Sequence, residues 1–306
     1  KKAGSKFNLT DAILLVTQTS VSMMKLLLQY NVDVNQADRF NWTMIMKVNN
    51  PEVFQLLLNS GALLNLTTSD GDSLLHMNGV GEYWYLPGMR WAAVGIDRIL
   101  ESGIGIDHRN KNGDTPLMVG LGDATREFLS QGANVSKVNL KNQTALISIL
   151  DKTRGSTKNV TQSVAALIQA GVDVSARDLS NMSAVHYLIK ACQETSMEIL
   201  ELLLSNGAEV RSFRDTNCSL LHYATAENKR NVEVIKKLVQ YGADPHAKDS
   251  DGRTPFEIVC SRRGSIVRTK GMDYWLELVN AVGGPEAATK CPQNIVHDLW
   301  SRCVFR

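Results

Sequence analysis

The side chains of this chain that are most able to do chemistry are six histidines and five cysteines. Cys291, His297 and Cys303 could approach Cys260 and bind a metal ion, but their spacing fits no compact zinc pattern. Cys218 precedes a predicted helix, where a thiolate can be activated, yet the spacing places no base beside it. The GxSxG, Gly-Lys-Ser/Thr and HExxH motifs do not occur. The sequence therefore predicts no catalytic residue, no metal, no cofactor and a protein that is not an enzyme.

The elements that position three of these histidines are marked by a repeated turn. The histidines end the motifs Ser73-Leu74-Leu75-His76, Ser183-Ala184-Val185-His186 and Ser219-Leu220-Leu221-His222. Two positions before each such serine, and at equivalent places elsewhere, stands a turn residue: Asn8, Asn41, Gly71, Gly113, Asn142, Asn181, Asn217 or Gly252. Gly and Asn most readily adopt a left-handed backbone conformation. Successive turn residues lie 29 to 42 residues apart, which is typical of repeats built from a turn and two helices.

The segment Gln240–Phe256 contains one complete junction between two repeats. A helix ends at Gly242, where the missing Cβ allows the chain to turn away. Gly252 then forms a tight turn. Thr254 can accept hydrogen bonds from the free N–H groups of the next helix, and Pro255 suits its first position because no donor is needed there. Equivalent helix ends are predicted at Asn31, Gly61, Gly103, Gly132, Gly171 and Gly207.

Together these features resemble the ankyrin-repeat family, whose TPLH helix start survives here as Thr115-Pro116-Leu117-Met118. The resemblance covers roughly residues 7–284. It implies an all-α fold, an ankyrin-repeat solenoid of helix-turn-helix units with β-hairpin-like fingers. It also implies that the histidines of the repeated motif are structural and bond the backbone between adjacent repeats. The property shared by the family is the binding of other macromolecules.

About eight repeats are predicted, flanked by two short terminal segments. Within the array of residues 6–284, the repeats span about 7–37, 38–67, 68–109, 110–138, 139–177, 178–213, 214–248 and 249–284. Residues 1–5 look like the remnant of a recombination-cloning linker, and the chain is expected to be a fragment of a longer protein. Residues 285–306 carry apolar side chains at helical spacing, which predicts a capping helix or, alternatively, a segment that docks a partner.

The composition is that of a folded protein without a strong field of one sign. Hydrophobic residues make up 43% of the chain, charged residues 21%, and the net charge is +2. Such a charge gives no general attraction to DNA or to a membrane surface. The sequence has no apolar run of about 18 residues and no signal peptide, so no membrane insertion is expected. The odd number of cysteines predicts a reduced setting in the cytoplasm or the nucleus.

The predicted finger tips carry a series of cations that forms the first candidate binding site. Its members are Arg109, Lys111, Lys137, Lys141, Arg177, Arg211 and Arg214. Because repeats stack, these side chains could form a ladder on the concave surface and hold an acidic or phosphorylated extended segment. The acidic residues beside the turns are instead expected to accept hydrogen bonds from the turn backbone. The alternative is an ordinary solvated edge.

The second candidate site is an aromatic insertion in the third repeat. It contains Tyr83, Trp84, Tyr85 and Trp91. Exposed Trp and Tyr are typical anchors of protein interfaces. Alternatively, these rings fold back over the helix ends and fill the space beside the fourth repeat, which is short. The sequence leaves both interpretations open.

The main functional hypothesis is a non-enzymatic scaffold that binds a protein partner on its finger and helix surface. The partner would present an acidic or extended segment, and the array would be monomeric. A nucleic-acid-binding array is the second hypothesis, although the near-neutral net charge argues against it. The third is a regulatory ankyrin domain of a larger enzyme, a ubiquitin-ligase adaptor or a channel.

Overall fold

The structure is a computed structural model that describes residues 21–30, 32–48, 50–78, 96–153, 158–191, 196–210, 219–226, 232–261, 266 and 272–283. These residues form helices joined by tight turns, and no strand occurs among them. The predicted all-α ankyrin-repeat class is thereby confirmed. The capping helix predicted for residues 285–306 lies outside the described residues.

The helices are short, and most come in pairs. The α-helices are Val21–Gln29, Met44–Lys47, Pro51–Asn59, Ile96–Glu101, Asp123–Ser130, Ala145–Lys152, Lys158–Gln169, Ala184–Ala191, Ser196–Ser205, Leu220–Ala226, Val232–Gln240, Pro255–Ser261 and Met272–Gly283. Two single 3-10 turns, His76–Asn78 and Pro116–Met118, stand where the third and fourth predicted repeats would begin their first helix.

Two compact units divide the chain. The first comprises Lys1–Lys152 with Lys158–Val172, and the second comprises Thr153–Thr157 with Asp173–Arg306. Each has its own apolar core between successive helix pairs. The first core includes Met118, Phe128, Leu146 and Leu167, and the second includes Val185, Ile199, Leu221, Ile235 and Val279, all of them buried.

Packing inside the first unit follows the helix pairs. Lys158–Gln169 packs against both Asp123–Ser130 and Ala145–Lys152, and Val21–Gln29 packs against Pro51–Asn59. Helices this short gain little from intrinsic propensity, so the burial of their apolar faces supplies most of their stability. The stack of helices is therefore the platform from which the turns project.

Packing inside the second unit repeats this arrangement. Ala184–Ala191 packs against Ser196–Ser205, while Leu220–Ala226 packs against Val232–Gln240. The last helix, Met272–Gly283, packs against Val232–Gln240 as well.

The repeated turns adopt the predicted conformation wherever they are described. Asn41, Asn142 and Asn181 have φ of 58° to 60°, and Gly113 has φ of 75°. In each such turn, a polar residue three positions earlier accepts two backbone hydrogen bonds. Asp38, for example, accepts from the N–H groups of residues 40 and 42 at 2.8 and 2.9 Å. We call the six residues that begin at this acceptor a finger.

The helix after the last described finger begins as the sequence predicts. Thr254 Oγ1 accepts the N–H of Glu257 at 3.3 Å, and the carboxylate of Glu257 accepts the N–H of Thr254 at 2.7 Å. This is a capping box, with Pro255 at the first helical position. Two donors that the helix itself leaves unpaired are thereby satisfied.

Cys260 departs from the reduced state that the odd number of cysteines indicated. This residue lies in the helix Pro255–Ser261, is 2% exposed and is disulfide-bonded in the structure. A disulfide requires a second thiol within a few ångströms.

Candidate functional site

Four successive fingers of the first unit are joined by backbone hydrogen bonds. They are residues 38–43, 68–73, 110–115 and 139–144. At each junction, one N–H near the tip donates to a carbonyl on the preceding finger. The bonds run from Ser69 N to Phe40 O (2.8 Å), from Lys111 N to Asp70 O (2.8 Å) and from Leu140 N to Asn112 O (3.0 Å). The four tips therefore form one continuous edge.

The motif histidines tie fingers to helices, as the resemblance implies. Nδ1 of His76 accepts from Ser73, and its Nε2–H donates to the carbonyl of Asp114, 3.0 Å away on the next finger. His222 bonds Arg253 O in the same way at 2.9 Å. Burial lowers the pKa of His76, so the ring stays neutral and keeps its one donor. A structural role is thus confirmed for both rings.

The third motif histidine, His186, is buried in the second unit. Its Nδ1 accepts the N–H of Ser183 at 3.0 Å. Burial, and secondly the nearby charge of Arg177, lowers the pKa of His186 to about 3. The ring is therefore neutral at physiological pH.

Two of the predicted binding arginines are engaged inside the fold. Arg109 directly precedes the finger 110–115. Its Nε donates to Gly113 O of that finger at 3.2 Å, and its Nη2 donates to Val138 O beside the next finger. Arg177 donates to Asn181 O at 3.2 Å, also four residues ahead, and forms an ion pair of 3.3 Å with Glu209. Their guanidinium groups thus help to hold finger geometry.

Three predicted lysines are placed differently. Lys111, Lys137 and Lys141 are exposed, and none of the three forms an ion pair or a side-chain hydrogen bond with any residue that the structure describes. Lys111 and Lys141 lie on adjacent tips, because the residues next to them, Asn112 and Leu140, share the backbone bond between the fingers. Lys137 precedes the second of these fingers. Lys111 and Lys141 thus stand on neighbouring tips, and none of the three lysines has an ion-pair partner among the described residues.

Comparison with known proteins agrees with this geometry. Residues 156–249 and 188–269 match the family model of ankyrin repeats. This part of the chain consists of ankyrin repeats. Ankyrin repeats imply a protein–protein interaction domain, and the family is generally non-enzymatic. The part of the functional hypothesis that assigns a protein–protein interaction domain is thus confirmed.

Three relatives illustrate how widely the ankyrin repeats are shared. An ankyrin repeat protein of Acanthamoeba polyphaga mimivirus is 25% identical over 82% of this chain and 33% of its own length. The B-cell lymphoma 3 protein homolog of Mus musculus is 31% identical over 33% of this chain and 22% of its own length. The palmitoyltransferase ZDHHC17 of Homo sapiens is 31% identical over 28% of this chain and 13% of its own length. The chain therefore spans a third or less of these relatives.

Three acidic residues that begin fingers have the structural role that was predicted for them. Asp178 and Asp249, like Asp38, accept two backbone N–H groups of their turns at 2.8 to 3.0 Å. Burial alone would raise the pKa of Asp38, but hydrogen bonds from Lys47 and from the turn lower it overall. The same balance, with Arg253 as the partner, lowers the pKa of Asp249. These carboxylates stay charged and hold the turns.

Sequence reasoning missed the apolar finger tips. Leu140 is 69% exposed and Leu179 is 76% exposed. Each stands two residues before its turn asparagine, where Lys111 stands on another finger. The available signal was a leucine at a tip position. A single exposed leucine is normal on a protein surface and does not by itself indicate a function.

The remaining predicted site residues lie outside the described residues. They are Tyr83, Trp84, Tyr85, Trp91, Arg211 and Arg214. Within the described residues, no group of three or more His, Cys, Asp and Glu side chains is arranged to hold a metal ion. A helix with both the length and the apolar character needed to cross a bilayer is likewise missing from this part of the chain.

Proposed function

We propose that this ankyrin array binds an acidic, extended segment of a protein partner along the fingers 110–115 and 139–144. The observation that carries the proposal is the cluster of Lys111, Lys137 and Lys141. Exposed cations without intramolecular partners are available to carboxylates or phosphates of another chain. Opposite charges also accelerate encounter, so the same lysines would steer the partner to the site.

The fingers offer this surface in a preformed state. The bond from Leu140 N–H to Asn112 O fixes one tip against the other, and His76 holds the carbonyl of Asp114 from below. Arg109 bridges the two fingers as well, through the carbonyls of Gly113 and Val138. A surface that is already ordered loses less conformational entropy when it binds, which favours affinity.

Arg109 and Arg177 have a supporting role in this proposal. Their guanidinium groups already donate to backbone carbonyls, so replacing them would alter the fingers and not only the charge. Lysine substitutions are the cleaner test, because the side chains of Lys111 and Lys141 hold nothing within the described structure.

The decisive experiment is a pull-down from cell lysate with three proteins of equal length. They are the wild type, the double variant Lys111→Glu/Lys141→Glu, and the control Lys25→Glu/Lys158→Glu, which changes the net charge equally at exposed lysines away from the fingers. Partners bound through the fingers should be lost only from the first variant, with thermal melts of all three unchanged. Each exposed pair contributes about 0.2–1 kcal/mol, so reversing two charges should weaken binding by about tenfold or more.

Two results would contradict the proposal. Retention of the same partners by Lys111→Glu/Lys141→Glu would show that the lysines are only a solvated edge. Loss of partners from both double variants would show a response to net charge and not to this site. If the captured material is nucleic acid, with binding that falls steeply as salt is added, the second hypothesis replaces the first.

A further inference from the structure

We propose that Leu140 is an apolar contact within this lysine cluster, so that the bound segment carries an apolar side chain next to its acidic residues. This inference rests on the proposed function and specifies the chemistry of the partner. It adds one contact that the sequence pattern did not indicate.

The backbone of Leu140 is held on both sides while its side chain projects. Its N–H donates to Asn112 O, and the preceding Asn139 is buried, with Oδ1 accepting from the N–H groups of Lys141 (3.0 Å) and Gln143 (2.9 Å). The amide of Asn139 also donates to Asp114 Oδ1 at 2.8 Å. An exposed leucine on a fixed backbone can bury apolar area on binding with little loss of conformational entropy.

Lysines lie near this leucine along the chain and on the neighbouring tip. Lys141 follows it in sequence, Lys111 lies beside the carbonyl that its N–H contacts, and Lys137 precedes its finger. On the far side of Lys111, the neighbouring tip carries the exposed carboxylate of Asp70. The favourable position for partner carboxylates is therefore around Leu140 and not beyond Lys111.

The same composition favours a protein segment over a nucleic acid. Residues 109–115 and 137–143, all of them described, contain no aromatic side chain. Sites for single-stranded nucleic acids usually offer aromatic rings on which the bases stack. A leucine between lysines instead matches a leucine, isoleucine or phenylalanine between glutamates or aspartates.

The second unit supplies a matched control. Leu179 occupies the equivalent tip position and is exposed to a similar degree, but it is followed by Ser180, whereas Leu140 is followed by Lys141. Replacing Leu179 by serine therefore removes the same apolar area from a tip without the lysine cluster.

The test uses two fluorescein-labelled peptides in anisotropy titrations with the full chain. One has a leucine at the centre of a glutamate-rich sequence, and the other has serine in its place. The wild type should bind the leucine peptide about tenfold more tightly, the effect of burying a few methylene groups. Leu140→Ser should abolish this preference, whereas Leu179→Ser and the conservative Leu140→Met should retain it.

The outcomes separate this inference from the proposed function. If both peptides bind equally, and still depend on Lys111 and Lys141, the leucine contact is refuted and the lysine site stands. If neither peptide binds the wild type above a neutral peptide of the same length, both proposals fail. Loss of the preference in Leu179→Ser as well would place the apolar contact elsewhere and overturn the inference.

Discussion

Replacing Gly113 by alanine tests whether the backbones of adjacent fingers hold the first unit together. Gly113 has φ of +75°, a left-handed conformation in which a Cβ costs about 1–2 kcal/mol. A Cβ there would also stand 2.9 Å from Leu140 N and 3.2 Å from Leu140 Cγ on the next finger. The side chain can rotate away. The nitrogen can retreat only if the fingers separate and the 3.0 Å bond to Asn112 O breaks.

Gly252 is the matched control for this substitution. Its φ is +76°, and among the described residues no atom beyond its two chain neighbours lies within 4 Å of the position that its Cβ would occupy. Gly252→Ala should therefore lower the free energy of unfolding only by the cost of placing a Cβ in the left-handed conformation. Gly113→Ala adds the loss of a backbone hydrogen bond, about 0.5–1.5 kcal/mol net, and the strain of the close contact. The expected difference in the free energy of unfolding between the two variants is about 1–2 kcal/mol.

Asparagine at the same two positions separates the two contributions. Asn142 adopts φ of 60° at the equivalent turn, so asparagine tolerates this conformation. Gly252→Asn should be nearly neutral, while Gly113→Asn should retain most of the contact cost because it also carries a Cβ.

The assay is native-state hydrogen exchange by NMR together with urea unfolding followed by circular dichroism. Protection of the Leu140 amide should fall in Gly113→Ala and stay unchanged in Gly252→Ala, while the Lys111 amide, bonded to Asp70 O, serves as internal reference. Equal unfolding costs for the two alanine variants, with an unchanged Leu140 amide, would refute the idea that the fingers are locked through their backbones.

The buried groups Ser163 and His186 lead to two further expectations. Ser163→Ala should lower the free energy of unfolding by about 1–3 kcal/mol, because the N–H of Gly122 donates to this hydroxyl at 2.7 Å. The control is Ser130→Ala, which removes an exposed hydroxyl that donates to Glu127 O and should change the urea midpoint little. Equal effects of the two substitutions would contradict this account. For His186, a folded pKa of about 3 against 6.5 unfolded means that the stabilising contribution is complete above pH 6.5 and falls as the pH drops toward 3. From pH 7 to 5 the chain should lose about 2 kcal/mol through this residue, and His186→Gln should flatten the pH profile by about 1.4 kcal/mol per unit; an unchanged slope would show that the ring is already protonated or exposed.

Local geometry was predictable from the sequence because neighbouring residues create it. The left-handed turns at Asn41 and Asn142 follow from residue types that tolerate positive φ. Thr254 followed by Pro255 predicts the start of the helix Pro255–Ser261. The role of His76 followed from the family motif that contains it. These features recur at a regular period, so each occurrence supports the others and together they specify an ankyrin array.

Functional detail was less predictable because it depends on contacts between repeats. The sequence groups Arg109 with Lys111 as equivalent finger cations. Only the folded chain shows that the guanidinium of Arg109 donates a hydrogen bond to the carbonyl of Val138 while Lys111 stays exposed. The fourth repeat is similar. Its first helix is reduced to the turn Pro116–Met118, and the hydroxyl of Ser163, far along the chain, satisfies the N–H of Gly122.

The sequence by itself determined that this protein is a stack of turn-and-helix units and where each unit turns. Periodic apolar residues, turn residues and helix caps act within a few positions of one another, so they can be recognised from the sequence alone. The tertiary structure alone decided which finger cations are neutralised, that Cys260 is disulfide-bonded, and that Leu140 is exposed on a tip bonded to the neighbouring finger. These outcomes depend on atoms from different repeats meeting within a few ångströms, and the one-dimensional pattern does not specify such distances.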